Sequence, residues 1–142
     1  MTNPETLTDA ASSQLSVIPA NVNVSTFQKE LMRPFPADQI HWRLGATNAK
    51  KNQGKASKGI ALAYIDARNV MERLDAVAGP LGWETHLTEV AGTSACRLTL
   101  HVNGMSISRT DTAGQTDVEG EKGAARTAHR RAAAQFGVGR YL

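Results

Sequence analysis

A single cysteine, Cys96, in 142 residues excludes an intramolecular disulfide and any zinc site built from several thiolates. No stretch reaches the roughly 18 apolar residues that would cross a bilayer, and the N-terminus lacks the basic flank and apolar run of a secretory signal. Membrane insertion and secretion are therefore not expected, and a reducing cytoplasm fits. His41, His86, His101 and His129 share no metal-ligand spacing, and no serine or cysteine sits in a motif that would activate it as a nucleophile. Gly54-Lys55-Ala56-Ser57 falls short of a phosphate-binding loop, which needs glycine where Ala49 stands and Ser or Thr directly after the lysine. Gly137-Val138-Gly139 follows a helix instead of opening one, so it reads as a cap and turn and not as a dinucleotide fingerprint. No catalytic residue, metal or cofactor is expected.

The charge that is present is unevenly placed. The net charge of +3 and pI near 9.3 favour acidic partners. Residues 41–58 hold Arg43, Lys50, Lys51, Lys55 and Lys58 without one acid, whereas residues 1–24 hold Glu5 and Asp9 without one base. Those first 24 residues are rich in Thr, Ser, Ala and Asn with weak periodicity, the composition of a flexible arm. Residues 25–142 then form one domain, large enough to bury a core.

Ser25 and Gln28 have capping-box spacing, and Phe27 and Leu31 form an i, i+4 apolar pair before Pro34, which predicts a short helix. Residues 40–44 and 59–65 read as two strands of a hairpin separated by the lysine-rich loop, which is long for that role. Asp66 opens a second helix whose Ala67, Val70, Met71, Leu74, Val77 and Ala78 keep helical period until Gly79-Pro80. Residues 83–90 form a third strand. In residues 95–102, Cys96, Leu98, Leu100 and Val102 alternate with Arg97, Thr99 and His101, so Cys96 is expected to be a small buried hydrophobe. Asn103-Gly104 is a strong two-residue hairpin signal. It pairs Val102 with Met105 and Leu100 with Ile107 on a buried face, and His101 with Ser106 and Thr99 with Ser108 on a polar one. The order is helix, two strands, helix, three strands, helix: an α+β fold with helices against a mainly antiparallel sheet.

Asp111, Asp117, Glu119 and Glu121 could be read as a Mg²⁺ cluster of a small nuclease, but acids in a first helical turn are explained by capping and the macrodipole. The helix they introduce is basic. At about 100° per residue, Lys122, Arg126 and Arg130 form one stripe, while Ala124, Ala125, Ala128, Ala132 and Phe136 form a packing face. Arg131 lies at the border of the two. Like charges at i, i+4 repel by a few tenths of a kcal/mol per pair, roughly, so a polyanion is the natural complement; a merely solvated basic face is the alternative.

Four segments in this order, Ile40-His41-Trp42-Arg43, Ala63-Tyr64-Ile65-Asp66-Ala67-Arg68, Gly79-Pro80-Leu81-Gly82-Trp83, and Glu121-Lys122-Gly123-Ala124-Ala125 through Arg130-Arg131-Ala132 to Phe136-Gly137-Val138-Gly139-Arg140-Tyr141-Leu142, resemble the Rad fifty-two, or Rad twenty-two, family of single-strand annealing proteins, particularly its bacterial and phage-like members. The resemblance implies a β-β-α-β-β-β-α domain, no enzymatic activity, and closed homo-oligomeric rings with single-stranded DNA in a basic outer groove. It matches Arg43 to the family's hairpin arginine, and Arg130 and Arg131 to its basic pair, commonly Lys-Arg. Arg126 and Lys122 extend that set along the helix, and Lys55 and Lys58 of the lysine-rich loop are added as nucleic-acid contacts. With aromatic residues at only 5%, base stacking cannot be the main source of affinity, which leaves bases free to pair. A single-stranded-DNA-binding protein stands as a candidate partner; recombinase docking is not expected. A metal-dependent nuclease and a basic interaction module without DNA function are the rival readings.

Overall fold

The computed structural model describes residues 21–47, 59–114 and 121–142, except the side chains at positions 46, 47, 121 and 122. In chain order these residues form helix α1 (Val24–Met32), a 3-10 turn (Ala37–Gln39), strands β1 (Ile40–Thr47) and β2 (Gly59–Ile65), helix α2 (Ala67–Ala78), strands β3 (Trp83–Val90), β4 (Thr93–Val102) and β5 (Met105–Thr112), and helix α3 (Glu121–Gln135). The α+β class and the order expected from the sequence hold. The strands divide into two sheets, an antiparallel β1–β2 hairpin and an antiparallel β3-β4-β5 meander.

Helix α1 begins earlier than the Ser25 capping box suggests. Its N-cap is Asn23, whose side chain accepts the Thr26 amide at 3.1 Å. The chain just before it is tied to the far end of the meander: the Val22 amide donates to Asn103 Oδ1 at 2.7 Å, and Asn103 Nδ2 donates to the Val22 carbonyl at 2.9 Å. Asn103 can serve this way because it sits at φ 51° in the β4–β5 turn, ahead of Gly104 at φ 73°. Phe27 and Leu31 are buried, as their spacing requires.

The β4–β5 register is the expected one, with Val102 opposite Met105, Leu100 opposite Ile107, Thr99 opposite Ser108 and His101 opposite Ser106. Burial departs from the expectation. Leu100 and Val102 are buried, but Met105 and Ile107 are exposed, while Thr99 on the polar face is buried and shares a 2.7 Å hydrogen bond with Ser108. The cause is the course of α3. His129 lies 5.9 Å from the Trp83 ring at the start of β3, and Arg131 and Gln135 reach Asp111 near the end of β5. The helix therefore crosses the sheet obliquely and leaves two corners bare, one at Met105 and Ile107, the other at Leu87.

The core gathers under that crossing, where Leu74, Leu98, Val70, Val138 and Cys96 are fully buried. Burying each large aliphatic side chain contributes roughly 1.5–3 kcal/mol. Close approach at the end of the chain depends on Gly137: at φ 100° a Cβ would meet the Met32 side chain. Among the described residues, one charge is inside. Arg73 of α2 is buried, and its Nη1 donates to the carbonyls of Glu30, Leu31 and Arg33 at 3.3, 3.2 and 2.6 Å, with the guanidinium 4.1 Å from the Phe35 ring centre. It satisfies the orphan carbonyls at the C-terminus of α1 and thereby clamps α1 to α2.

Candidate nucleic-acid interface

Helix α3 packs on the meander because small residues face it. Ala128, Ala132 and Ala133 are buried, with Ala124 and Phe136 packed against the same core. His129 joins them and is also buried, its Nε2 without a hydrogen-bond partner. Burial, and then the neighbouring Arg130 charge, hold its pKa below the ordinary 6.5. The opposite face of α3 carries Arg126, Arg130 and Arg131.

That face borders a cleft of about 1010 Å³. Three elements contribute its cations: Arg43 from β1, Arg68 from α2, and Arg126, Arg130 and Arg131 from α3. Asp66 is the one acidic side chain in the lining among the described residues. It occupies the N-cap position of α2 as expected, yet its side chain caps no amide; Oδ2 lies 3.4 Å from His41 Nε2. Ala63, Ala67, Ala113, Gly114, Gly123 and Ala134 also line the cleft, so its walls are low between the arginines.

The arginines are not equivalent. Arg68 and Arg126 are exposed and make no ion pair among the described residues. Arg130 Nη2 donates to Thr127 Oγ1 at 3.1 Å, within its own helix. Arg131 Nε meets Asp111 Oδ1 at 3.4 Å, so part of its charge is used against β5. Asp111 also accepts from the Thr112 amide at 2.8 Å and from Gln135 Nε2 at 3.1 Å. Burial alone would raise the Asp111 pKa; the Gln135 and Thr112 hydrogen bonds and the Arg131 charge outweigh it and hold the carboxyl below 3.8.

Of the residues expected to touch a nucleic acid, Arg43, Arg126, Arg130 and Arg131 thus line one cleft. Lys55 and Lys58 lie outside the described residues, as does the side chain of Lys122. Arg68, which is not among the expected contacts, lines the same cleft. It stands in the segment Ala63 to Arg68 that carries part of the resemblance, and its place in the first turn after the hairpin was the available signal. For the nuclease reading, Asp111 is committed to Arg131, Gln135 and the Thr112 amide, and Asp117, Glu119 and the Glu121 side chain are outside the described residues. Among the described residues no group of three or more His, Cys, Asp or Glu is placed to hold a metal ion.

Comparison with known proteins gives a consistent assignment. Residues 23–142 match the model of the Rad52/22 family double-strand break repair protein. A single-stranded DNA-binding protein DdrA of Deinococcus deserti is 38% identical over 123 residues, covering 85% of this chain and 58% of the relative. Its namesake in Deinococcus radiodurans is 35% identical over 123 residues, 85% of this chain and 56% of the relative. The chain thus spans less than three fifths of the length of these relatives. No solved structure matches it. With a family match that runs from the N-cap of α1 to the last residue and takes in every element of the fold, the chain belongs to the Rad52/22 family.

Proposed function

We propose that this chain binds single-stranded DNA by its backbone and anneals complementary strands in recombination and double-strand break repair, without ATP and as a closed homo-oligomeric ring in the cytoplasm. The observation that carries the reading is the convergence of five arginines from three elements on one cleft that has a single acidic side chain in its described lining. Such a concentration of like charge is matched by a polyanion, whose counterions are released on binding. Tyr64 is the one aromatic residue among those lining it, so the bases are left unstacked on protein and free to pair. The DdrA relatives are named for binding single-stranded DNA, the same ligand class. The test is fluorescence anisotropy with a labelled single strand and the matching duplex across a salt series. Preference for the single strand is expected, with a log–log slope of about −0.7 for each phosphate neutralised; equal affinity for duplex, or no salt dependence, refutes the reading.

The ring rests on the β1–β2 hairpin. It exposes Trp42, Leu44, Ile60 and Leu62, with Trp42 and Leu44 at 67% and 71%, and a two-stranded hairpin is marginal on its own. A neighbouring copy supplies bare apolar corners at Leu87, Met105 and Ile107. Mass photometry is expected to find a discrete oligomer; a monomer across micromolar concentrations, with and without oligonucleotide, removes the ring from the proposal.

A further inference from the structure

We infer that Arg68 contacts the phosphodiester backbone in this cleft, so that a single strand is held from α2 as well as from α3. The inference rests on the proposed DNA-binding reading and adds to it a residue and a path. Helix α2 stands between two grooves. Arg68 and Met71, i and i+3 on its surface, line the arginine cleft, while Asn69, Glu72, Arg73 and Ala76 line a groove on its other side together with Arg33 and Phe35. The two arginines of the helix that face these grooves are treated differently: Arg73 is engaged through Nη1 by three carbonyls, whereas Arg68 is exposed and has no ion pair among the described residues.

Among the described residues, nothing nearby compensates Arg68. The carboxylate two residues earlier, Asp66, is turned to His41 at 3.4 Å, and the other charged side chains in the described lining of the cleft are the four arginines of β1 and α3. Half of the lining between them is alanine and glycine, including Ala67, Ala113, Gly114, Gly123 and Ala134. A phosphodiester chain can therefore lie low in the cleft within reach of both helices, which a ligand resting on α3 alone would not need.

The experiment compares Arg68→Ala, Arg126→Ala, Ala134→Leu and Arg97→Ala by anisotropy with a labelled mixed-sequence single strand over a salt series, with melting temperature and oligomer size recorded for each. Arg97, on the solvent-exposed β4 position outside the cleft, is the control. Arg68→Ala is expected to lower the salt slope by about 0.7, which is about a fivefold loss of affinity at 0.1 M salt, with its melting temperature kept. Ala134→Leu adds bulk one turn beyond Arg130 without altering charge, and is expected to weaken binding while leaving Arg97→Ala as the unaffected member. If Arg126→Ala and Ala134→Leu weaken binding but Arg68→Ala keeps the full affinity and slope, the inference is overturned and the cleft reading survives. If none of the three cleft variants differs from Arg97→Ala, the cleft reading itself falls. A loss at Arg68→Ala accompanied by a lower melting temperature and an unchanged slope also overturns the inference, since it would make the residue structural.

Discussion

Arg68 and Arg73 stand about a turn and a half apart on one helix, and the fold uses them in opposite ways. Arg73 is turned inward, where three backbone carbonyls and the Phe35 ring replace water around its charge. Arg68 is turned outward to a cleft shared with four other arginines. A buried cation is tolerable only when its donors are satisfied, and then removing it leaves acceptors stranded. A group of exposed cations contributes little to folding and repels its neighbours, and is useful only toward something outside. Position on a helix face, not residue type, separates the arginine that holds the fold together from those that can hold a ligand.

The sharpest way to break this contrast is Arg73→Met. Loss of charge-assisted hydrogen bonds to the C-terminus of α1, together with the contact to Phe35, should cost about 3 kcal/mol, read as a lower urea midpoint. A midpoint equal to the parent's would mean that the inward arginine is no clamp.

Arg130→Ala should do the reverse. Binding should weaken by about tenfold, the scale of one charge-assisted contact, while stability stays level or rises slightly, because repulsion with Arg126 is relieved. Arg131→Ala divides between the two behaviours. It gives up a partly exposed ion pair with Asp111, worth about 0.5 kcal/mol, and a smaller part of the DNA affinity. If Arg130→Ala melts the protein and Arg131→Ala does not, the roles of the pair have been assigned the wrong way round.

A smaller effect is expected from pH. His129 is held neutral in the folded protein, its pKa pushed below 6.5 by burial and by Arg130. The unfolded chain takes up a proton near 6.5 and the folded one does not, so stability is full above that value and is lost as pH falls toward the lower, folded pKa. The melting temperature should therefore drop between pH 7 and 5, and His129→Gln should flatten that part of the profile. Asp111, lowered below 3.8, adds a separate loss that appears only at more acid pH, as the folded carboxyl protonates. A profile with no His129-dependent slope between pH 7 and 5 would contradict this account.

The gentlest probe is Asp66→Asn. It retains a good N-cap residue for α2 and removes the one acidic side chain in the described lining of the cleft, so single-strand affinity should rise by about two- to threefold, a few tenths of a kcal/mol. Weaker binding would show that Asp66 positions the cleft through His41 instead of opposing the ligand.

Much of the fold was legible because its signals are local. The Asn103-Gly104 turn chemistry set the β4–β5 register, the alternation from Cys96 to Val102 picked the face under α3, and the period from Ala67 to Ala78 marked α2. The four expected nucleic-acid contacts whose side chains are described line one cleft, since three of them share a helix whose spacing is fixed at 3.6 residues per turn. Helical arithmetic does not reach Arg68, which comes to share a cleft with Arg126 only when α2 packs near α3. The Ser25 capping box gave way to Asn23, because Val22 is held by Asn103, 81 residues away in sequence.

By itself, then, the sequence determined the elements, their order and the charge carried by α3, because periodicity, caps and tight turns involve residues within a few positions of one another. Only the tertiary structure decided that the strands form two sheets, that Met105 and Ile107 stay exposed on a nominally buried face, and that Arg73 is a clamp while Arg68 is free to meet a ligand. Those outcomes depend on the angle at which α3 crosses the meander and on which carbonyls end beside which guanidinium. No local pattern encodes either, because both arise from side chains that meet only after distant segments have packed.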